Sequence, residues 1–326
     1  MFMLFYINIS LGSVVIPIKN TFQIVFFNDL ENQSWQYIIW NYRIPKAFTA
    51  ILVGSGLSLS GLLMQTLFRN PLAGPFVLGI SSGASLGAAL LIMGASLFSG
   101  LFSFNIFNDA ILAIASSVGS FVVLFSVLSV AMKVKDTMSL LIVGLMFGSI
   151  TGAIVSILSY FTTAEKLQQY IYWSFGSLGD LSWSQLSLLS CIIVIGIFLS
   201  ILSIKSLNAL LLGENYAKSM GVQLKKSRLI IIIATGLLAG SITAFAGPIA
   251  FIGLAVPHLT RQIFNTTNHK ILVPAVLVYG AIIMLVCDTI AQLPSSSSVL
   301  PINAITSIVG APVVIWLLVR KEKMVF

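Results

Sequence analysis

"RIPKAFTAILVGSGLSLSGLLMQTLFRNPLAGPFVLGISSGASLGAAL", residues 43–90, contains the reading on which the fold turns. From Pro45 to Phe68 the only charge is Lys46, and the stretch exceeds the roughly 20 residues a helix needs to cross a bilayer. Arg69, Asn70 and Pro71 then break it, and Pro71 and Pro75 each prevent the helix from continuing. Between Gly79 and Gly87, seven of nine residues are small, so the next helix can approach its neighbours closely. One span, an ornate turn and a close-packing second span are what 43–90 predicts.

The rest of the chain agrees. Its 326 residues are 58% hydrophobic and only 8% charged, with a mean hydropathy of +1.04. A soluble domain carries roughly 25% charged residues, so this composition cannot cover a water-facing surface. The formal charge of +8 does not mark a nucleic-acid binder, because the basic residues stand singly between apolar runs. Nine spans can be drawn, at 45–68, 77–98, 109–132, 138–160, 185–204, 228–245, 248–264, 271–290 and 303–320. The ten residues before Leu11 are apolar but too few to cross, and they lack the charged start and cleavage site of a signal peptide. They read as a shortened first helix or as the remnant left by a late start site, and they bring the count to about ten. The expectation is an all-α polytopic membrane protein with both termini cytoplasmic, one transmembrane domain over 1–326, and a cytoplasmic loop at 205–228.

Charge sets the orientation. Alternate connections carry thirteen basic residues on one side, Arg69, Lys205, Lys225 and Arg261 among them. The other side has four: Lys19, Arg43, Lys46 and Lys166. The richer side is cytoplasmic. Gly54, Ser58 and Gly61 recur at helical spacing, as do Gly144, Gly148 and Gly152; these stripes predict close helix packing. Ala73-Gly74-Pro75-Phe76 echoes Ala246-Gly247-Pro248-Ile249 on the opposite side, as an inverted repeat would. Cys191 and Cys287 both fall in apolar runs and read as buried packing thiols.

Several chemistries are missing. There is no G-x-x-x-x-G-K-[ST] loop; "GVQLKKS" at 221–227 lacks the second glycine, so nucleotide binding by that route is excluded. No H-E-x-x-H occurs, and His258 and His269 read as solvated loop histidines, with no metal site and no catalytic residue expected. A gradient-driven carrier places ionisable groups at mid-membrane. Here Asp288 alone lies inside an apolar run, so the energy for transport is expected from another polypeptide. The loop "KSLNALLLGENYAKSMGVQLKKSR" (205–228) is the longest polar cytoplasmic connection; Gly213 and Gly221 bracket one short helix, a suitable lever for a cytoplasmic partner.

At this point the residues resemble a known family. The block 43–90, with "YWSFGSLGDLSW" (172–183), "LGENYAKSMGV" (212–222), "AFAGPIAFIGLAVPHLTR" (244–261) and "LPINAITSIVGAPVVIWLL" (300–318), is similar in order and spacing to the FecCD-type permeases. These are the membrane subunits of ABC importers for iron–siderophores, haem and vitamin B12. The resemblance implies a ten-helix subunit of the bacterial inner membrane that pairs with a second permease, identical or related. Two ATPase subunits then dock below and an external substrate-binding protein docks outside, with no cofactor and no nucleic acid. It implies that Leu212, Gly213, Glu214, Ala217, Met220 and Gly221 couple to the ATPase. It places a cytoplasmic gate at Asn70, Pro71 and Leu72, with Thr137, Met138 and Ser139 as its counterpart. It assigns Arg43 and Lys46 to docking of the binding protein. Two departures stand out: Gln292 and Val299 occupy positions where relatives carry charge. By the family's range the substrate is expected to be an iron–siderophore first, haem second and vitamin B12 third. The competing classes are a secondary carrier or channel that works without an ATPase, an intramembrane enzyme, and a membrane partner that transports nothing.

Overall fold

Lipid offers the backbone no hydrogen-bond partners, so a chain this apolar must satisfy its N–H and C=O groups internally, by forming helices. The computed structural model describes residues 1–27, 33–94, 109–133, 137–292 and 298–319, and every regular element among them is helical. In chain order the helices are α1 (Phe2–Ser10), α2 (Ile18–Phe27), α3 (Gln33–Ile38), α4 (Ile44–Phe68), α5 (Ile80–Ile92), α6 (Asp109–Ala131), α7 (Thr137–Phe161) and α8 (Ala164–Ser174). They continue with α9 (Trp183–Leu202), α10 (Ile204–Leu211), α11 (Glu214–Ser219), α12 (Leu224–Ala246), α13 (Ile252–Phe264), α14 (His269–Ala291) and α15 (Ile302–Val319). A π-helical turn at Ile39–Arg43 runs into α4, and a 3₁₀ turn at Pro75–Leu78 precedes α5.

Each of the ten expected spans is occupied by a helix: α1, α4, α5, α6, α7, α9, α12, α13, α14 and α15. Six of these are long and apolar enough to cross a membrane alone. The protein is thus an all-α polytopic membrane protein. α13 starts late because Gly247 and Phe251 hold positive φ (74° and 66°), leaving 247–251 non-helical. That stretch is covered by protein: Ser177 N–H donates to the Ala246 carbonyl, and Ala250 N–H to Asn303 Oδ1. Irregular backbone in a membrane protein is tolerated where protein buries it in this way. Both Ala-Gly-Pro copies therefore end in a break followed by a short helix, although one continues through a 3₁₀ turn and the other does not.

The core is built on α4, 20 of whose 25 residues are buried, whereas the described side chains of α7 are mostly exposed or half-buried. α4 lies against α14 at Gly54 and Gly280, where a Cβ on either glycine would collide with the other's backbone. Ser55 Oγ donates to the Leu277 carbonyl at 2.8 Å beside that crossing. Gly61 meets the backbone of Gly253 on α13, and Gly83 meets Gly119 across α5 and α6. The small-residue stripe on α4 is thus a packing stripe. On α7, Gly144 packs on the Val77 carbonyl, but a Cβ at Gly152 would have nothing within 4 Å. One cysteine expectation is corrected. Cys287 is buried, whereas Cys191 is exposed on α9, because an apolar run in lipid has an outward face as well as an inward one.

Candidate functional site

Two glycines shape the 205–228 loop. Gly213 (φ 104°) and Gly221 (φ 81°) lie where an L-residue is strained, so α10 stops at Leu211 and α11 starts afresh at Glu214. α11 closes with Gly221 N–H on the Lys218 carbonyl and Val222 N–H on the Ala217 carbonyl, both at 3.0 Å. Glu214 pairs with Arg228 at the start of α12, which tethers the short helix to a long one. Ala217 is fully buried beneath it, while Leu212, Tyr216 and Met220, spaced four apart, are 63%, 52% and 61% exposed. Only Tyr216 stands on α11 itself; Leu212 precedes the break at Gly213 and Met220 follows the last helical residue.

α4 ends beside this loop. Arg69 turns left-handed (φ 48°), and Asn70 N–H reaches back to the Gln65 carbonyl at 3.1 Å. Asn70 Oδ1 accepts from Leu72 N–H at 2.9 Å, so the side chain itself forms the turn. The Pro71 carbonyl lies 2.8 Å from His258 Nε2; a carbonyl only accepts, so that nitrogen donates. Arg69 then arches over the loop, its Nη1 lying 3.5 Å from where a Cβ on Gly213 would sit. The structure therefore brings the Arg69 side chain, next to Asn70, close to Gly213 in the 212–221 block. Of Thr137 and Met138 only the helical backbone is described, their side chains lying outside the described residues, while Ser139 is half-buried at the start of α7.

The histidines depart from expectation. His269 is fully buried, with Nδ1 2.8 Å from Asn208 Oδ1 and Nε2 2.8 Å from Thr66 Oγ1. Arg261, counted above as a loop charge, is buried and donates to Gln65 Oε1 at 3.1 Å, while Gln65 Nε2 donates to the Leu254 carbonyl. The sequence signal for this polar knot was slight: two adjacent polar residues, Gln65 and Thr66, in the last turn of a mostly apolar helix.

Arg43 and Lys46, the residues expected to dock a binding protein, both hold partners within the chain. Arg43 turns inward, donating to the carbonyls of Ile9 and Ser10 at 3.0 and 2.9 Å and to that of Val14. It thereby closes off the C-terminal end of α1, whose carbonyls no helix bond satisfies. Lys46 pairs with Asp288 at 3.1 Å. The other Asp288 oxygen accepts from Asn8 and Gln292, at 2.9 and 2.8 Å. Gln292 thus donates to the carboxylate beneath it. These groups border an outward cavity of about 500 Å³ that also takes in Asp180 and Val299.

The chain is similar to known proteins. The FecCD transport family profile matches residues 1–320. The vitamin B12 import system permease protein BtuC of Klebsiella pneumoniae is 37% identical over 288 residues, covering 88% of this chain and 84% of that protein. Its counterpart from Salmonella typhi is 36% identical over 289 residues, 88% of this chain and 85% of that one. A solved structure described as an inward-facing conformation of a metal-chelate type ABC transporter superposes with a TM-score of 0.82 at 30% identity, covering 98% and 97% of the two chains.

Proposed function

The chain belongs to the FecCD transport family, and from that premise we propose that it forms, with a second permease chain, the path by which an ATP-driven importer passes an iron–siderophore into the cell. The chain is a multi-pass permease subunit of the bacterial inner membrane, serving an ABC importer of the metal-chelate and vitamin B12 type. It is not itself an enzyme, since the ATPase is a separate subunit.

The observation that carries the mechanism is the approach of the Arg69 guanidinium to Gly213, 3.5 Å from where a Cβ there would sit. It joins the loop bearing the exposed row Leu212, Tyr216 and Met220 to the turn Asn70–Leu72. On this reading the ATPase grips the row, with Ala217 and the two glycines setting the pitch of α11 and Glu214 tying it to α12. Closure of the ATPase pair displaces that element, and the turn, with the start of α7 at Thr137–Ser139, opens or shuts below the path. This is a rigid-body and hinge type of switch. Single-domain organisation over 1–326, with 205–228 as the coupling loop and both termini cytoplasmic, belongs to the same proposal. On the outer side the binding protein meets the rim of the cavity around Lys46, Arg43 acting from behind by holding that rim in place.

A second substrate reading, a corrinoid, is favoured by a specific observation: relatives 36–37% identical are vitamin B12 permeases. Reconstitution of the permease in liposomes with its ATPase and binding protein decides between the two. Radiolabelled ferric hydroxamate siderophore is expected to enter only with ATP, and cyanocobalamin entering alone would install the second reading. Uptake by the chain without an ATPase would refute the importer mechanism.

A further inference from the structure

We infer that Asn208, His269 and Thr66 form a hydrogen-bond relay, buried at His269 and Thr66 and half-buried at Asn208, that makes the gate turn follow the coupling loop. The inference deepens the coupling-and-gate reading above and rests on it. Each of the three lies on a different element: Asn208 on α10, five residues before Gly213; His269 as the first residue of α14; Thr66 in the last turn of α4, four residues before Asn70.

The donors and acceptors fix the direction of every bond. Asn208 Oδ1 can only accept, and it takes two donors, the backbone N–H of His269 at 2.9 Å and Nδ1 at 2.8 Å. The ring proton therefore sits on Nδ1. Asn208 Nδ2 in turn donates to Asn268 Oδ1 at 3.0 Å, and that same oxygen caps α14 by accepting from Lys270 N–H. With its proton on Nδ1, the ring offers Nε2 as an acceptor to the Thr66 hydroxyl. That hydroxyl has one proton and two acceptors in reach, Nε2 at 2.8 Å and the Leu62 carbonyl at 2.9 Å. The Leu62 carbonyl already has its place in the helix ladder of α4, so donation to the ring leaves no group without a partner.

His269 is fully buried and Thr66 is 1% exposed. Separating α14 from α4 therefore strands a polar group in an apolar surround, and separating α10 from α14 takes from the buried His269 ring the partner of its Nδ1. The three elements therefore shift together. Thr66 passes the displacement on directly, because Arg69 N–H bonds the Thr66 carbonyl and Asn70 N–H the Gln65 carbonyl. At the other end α10 hands over to Gly213, whose N–H holds the Leu210 carbonyl at 3.0 Å. The other side-chain ties of the turn, Arg261 to Gln65 and His258 to Pro71, lead to α13 and not to the loop. Together with the packing of α10 against α4 and the approach of Arg69 to Gly213, the relay joins the two moving parts. Its members are positioning residues and touch no substrate.

The test uses the complete importer in liposomes, with radiolabelled ferric hydroxamate siderophore and cyanocobalamin as probes. Thr66→Val keeps the shape and removes the hydroxyl; Thr66→Ser keeps the hydroxyl. Thr66→Val and Asn208→Ala are expected to retain the ATPase on purification and to hydrolyse ATP, while ATP consumed per chelate imported rises roughly fivefold, the factor that one lost buried hydrogen bond represents. Thr66→Ser should restore the wild-type ratio, and the double variant should be no worse than the worse single, since both cut one chain. An unchanged ratio in Thr66→Val, or Thr66→Ser behaving like Thr66→Val, overturns the relay while wild-type import still stands. If Asn208→Ala fails to insert, the isosteric pair at Thr66 decides alone. A wild-type complex that imports neither probe overturns the importer reading and the relay with it.

Discussion

Lys46 and Asp288 form an ion pair whose two ends are unequally placed, and the inequality makes a prediction. The Lys46 side chain is 18% exposed and the Asp288 side chain 2%. Breaking a buried pair by removing one partner costs about 3–5 kcal/mol, because the survivor is left charged and unpaired. In Lys46→Met the survivor is Asp288, still accepting from Asn8 and Gln292. Those two bonds soften the penalty, placing the loss near the lower end, about 3 kcal/mol. In Asp288→Asn the survivor is Lys46, whose stem is long enough to carry the ammonium into the neighbouring cavity and its water. The remaining cost is that of altered hydrogen bonds, about 1–2 kcal/mol. Graded SDS unfolding of the detergent-solubilised chain, followed by tryptophan fluorescence, should therefore rank wild type above Asp288→Asn and Asp288→Asn above Lys46→Met. Lys46→Met combined with Asp288→Leu should recover part of the loss, since no charge is then stranded. Equal losses in the two singles, or a silent Lys46→Met, would refute the argument that the buried carboxylate is the member that cannot stand alone.

Other expectations follow from the same geometry. Gly61→Ala drives a Cβ into the backbone of Gly253, whereas Gly152→Ala meets nothing within 4 Å; expression and monodispersity should collapse for the first and hold for the second. Leu at Gly213 and Gly221, both at positive φ, should leave the chain in the membrane but separate ATP hydrolysis from uptake; uptake at the wild-type rate would remove α11 from the coupling mechanism. Arg43→Met releases three carbonyls, those of Ile9, Ser10 and Val14, and should open residues 10–16 to protease in intact spheroplasts, a site closed in the wild type. Spin labels on α4 and α14 should keep their separation through an ATP cycle while the distance from α4 to α7 changes, as pulsed electron resonance would record.

How much of this was legible beforehand depends on the kind of signal. The long helices were, because span length and Lys/Arg placement are read from composition alone; α4 was drawn at 45–68 and runs Ile44–Phe68. The stripe at Gly54, Ser58 and Gly61 was legible as packing, since small residues at helical spacing have one common use in lipid. The side chains that face inward at helix ends were not. Arg43 and Arg261 counted as surface charges, and His269 as a loop residue, because sequence shows a residue's distance from an apolar run and not the rotation of the helix that carries it. Gln292 looked like a missing charge; only the position of Asp288 one turn earlier, with Asn8 arriving from 280 residues away, shows what an amide does there. The helices α2, α3 and α8 escaped for a different reason: they are short, and their apolar residues follow no span-length pattern.

The stretch 43–90 decides more than the fold, because α4 carries both ends of the mechanism on one rod. Its 25 residues span about 37 Å, Lys46 standing near one end and Thr66 near the other. α14 runs antiparallel beside it and holds it three times: Asp288 on Lys46, Gly280 on Gly54, and His269 on Thr66. Polar bonds at both ends and backbone contact at the middle leave this pair no freedom to shear, so α4 and α14 move as one body. The bends must then lie where the backbone has already left the helix, at Arg69 and Gly79 on one side of α5 and at Gly247 to Phe251 before α13. The two Ala-Gly-Pro copies sit at those breaks. Their likeness, faint as a repeat, falls at the two places where a rigid α4–α14 unit needs its neighbours to hinge.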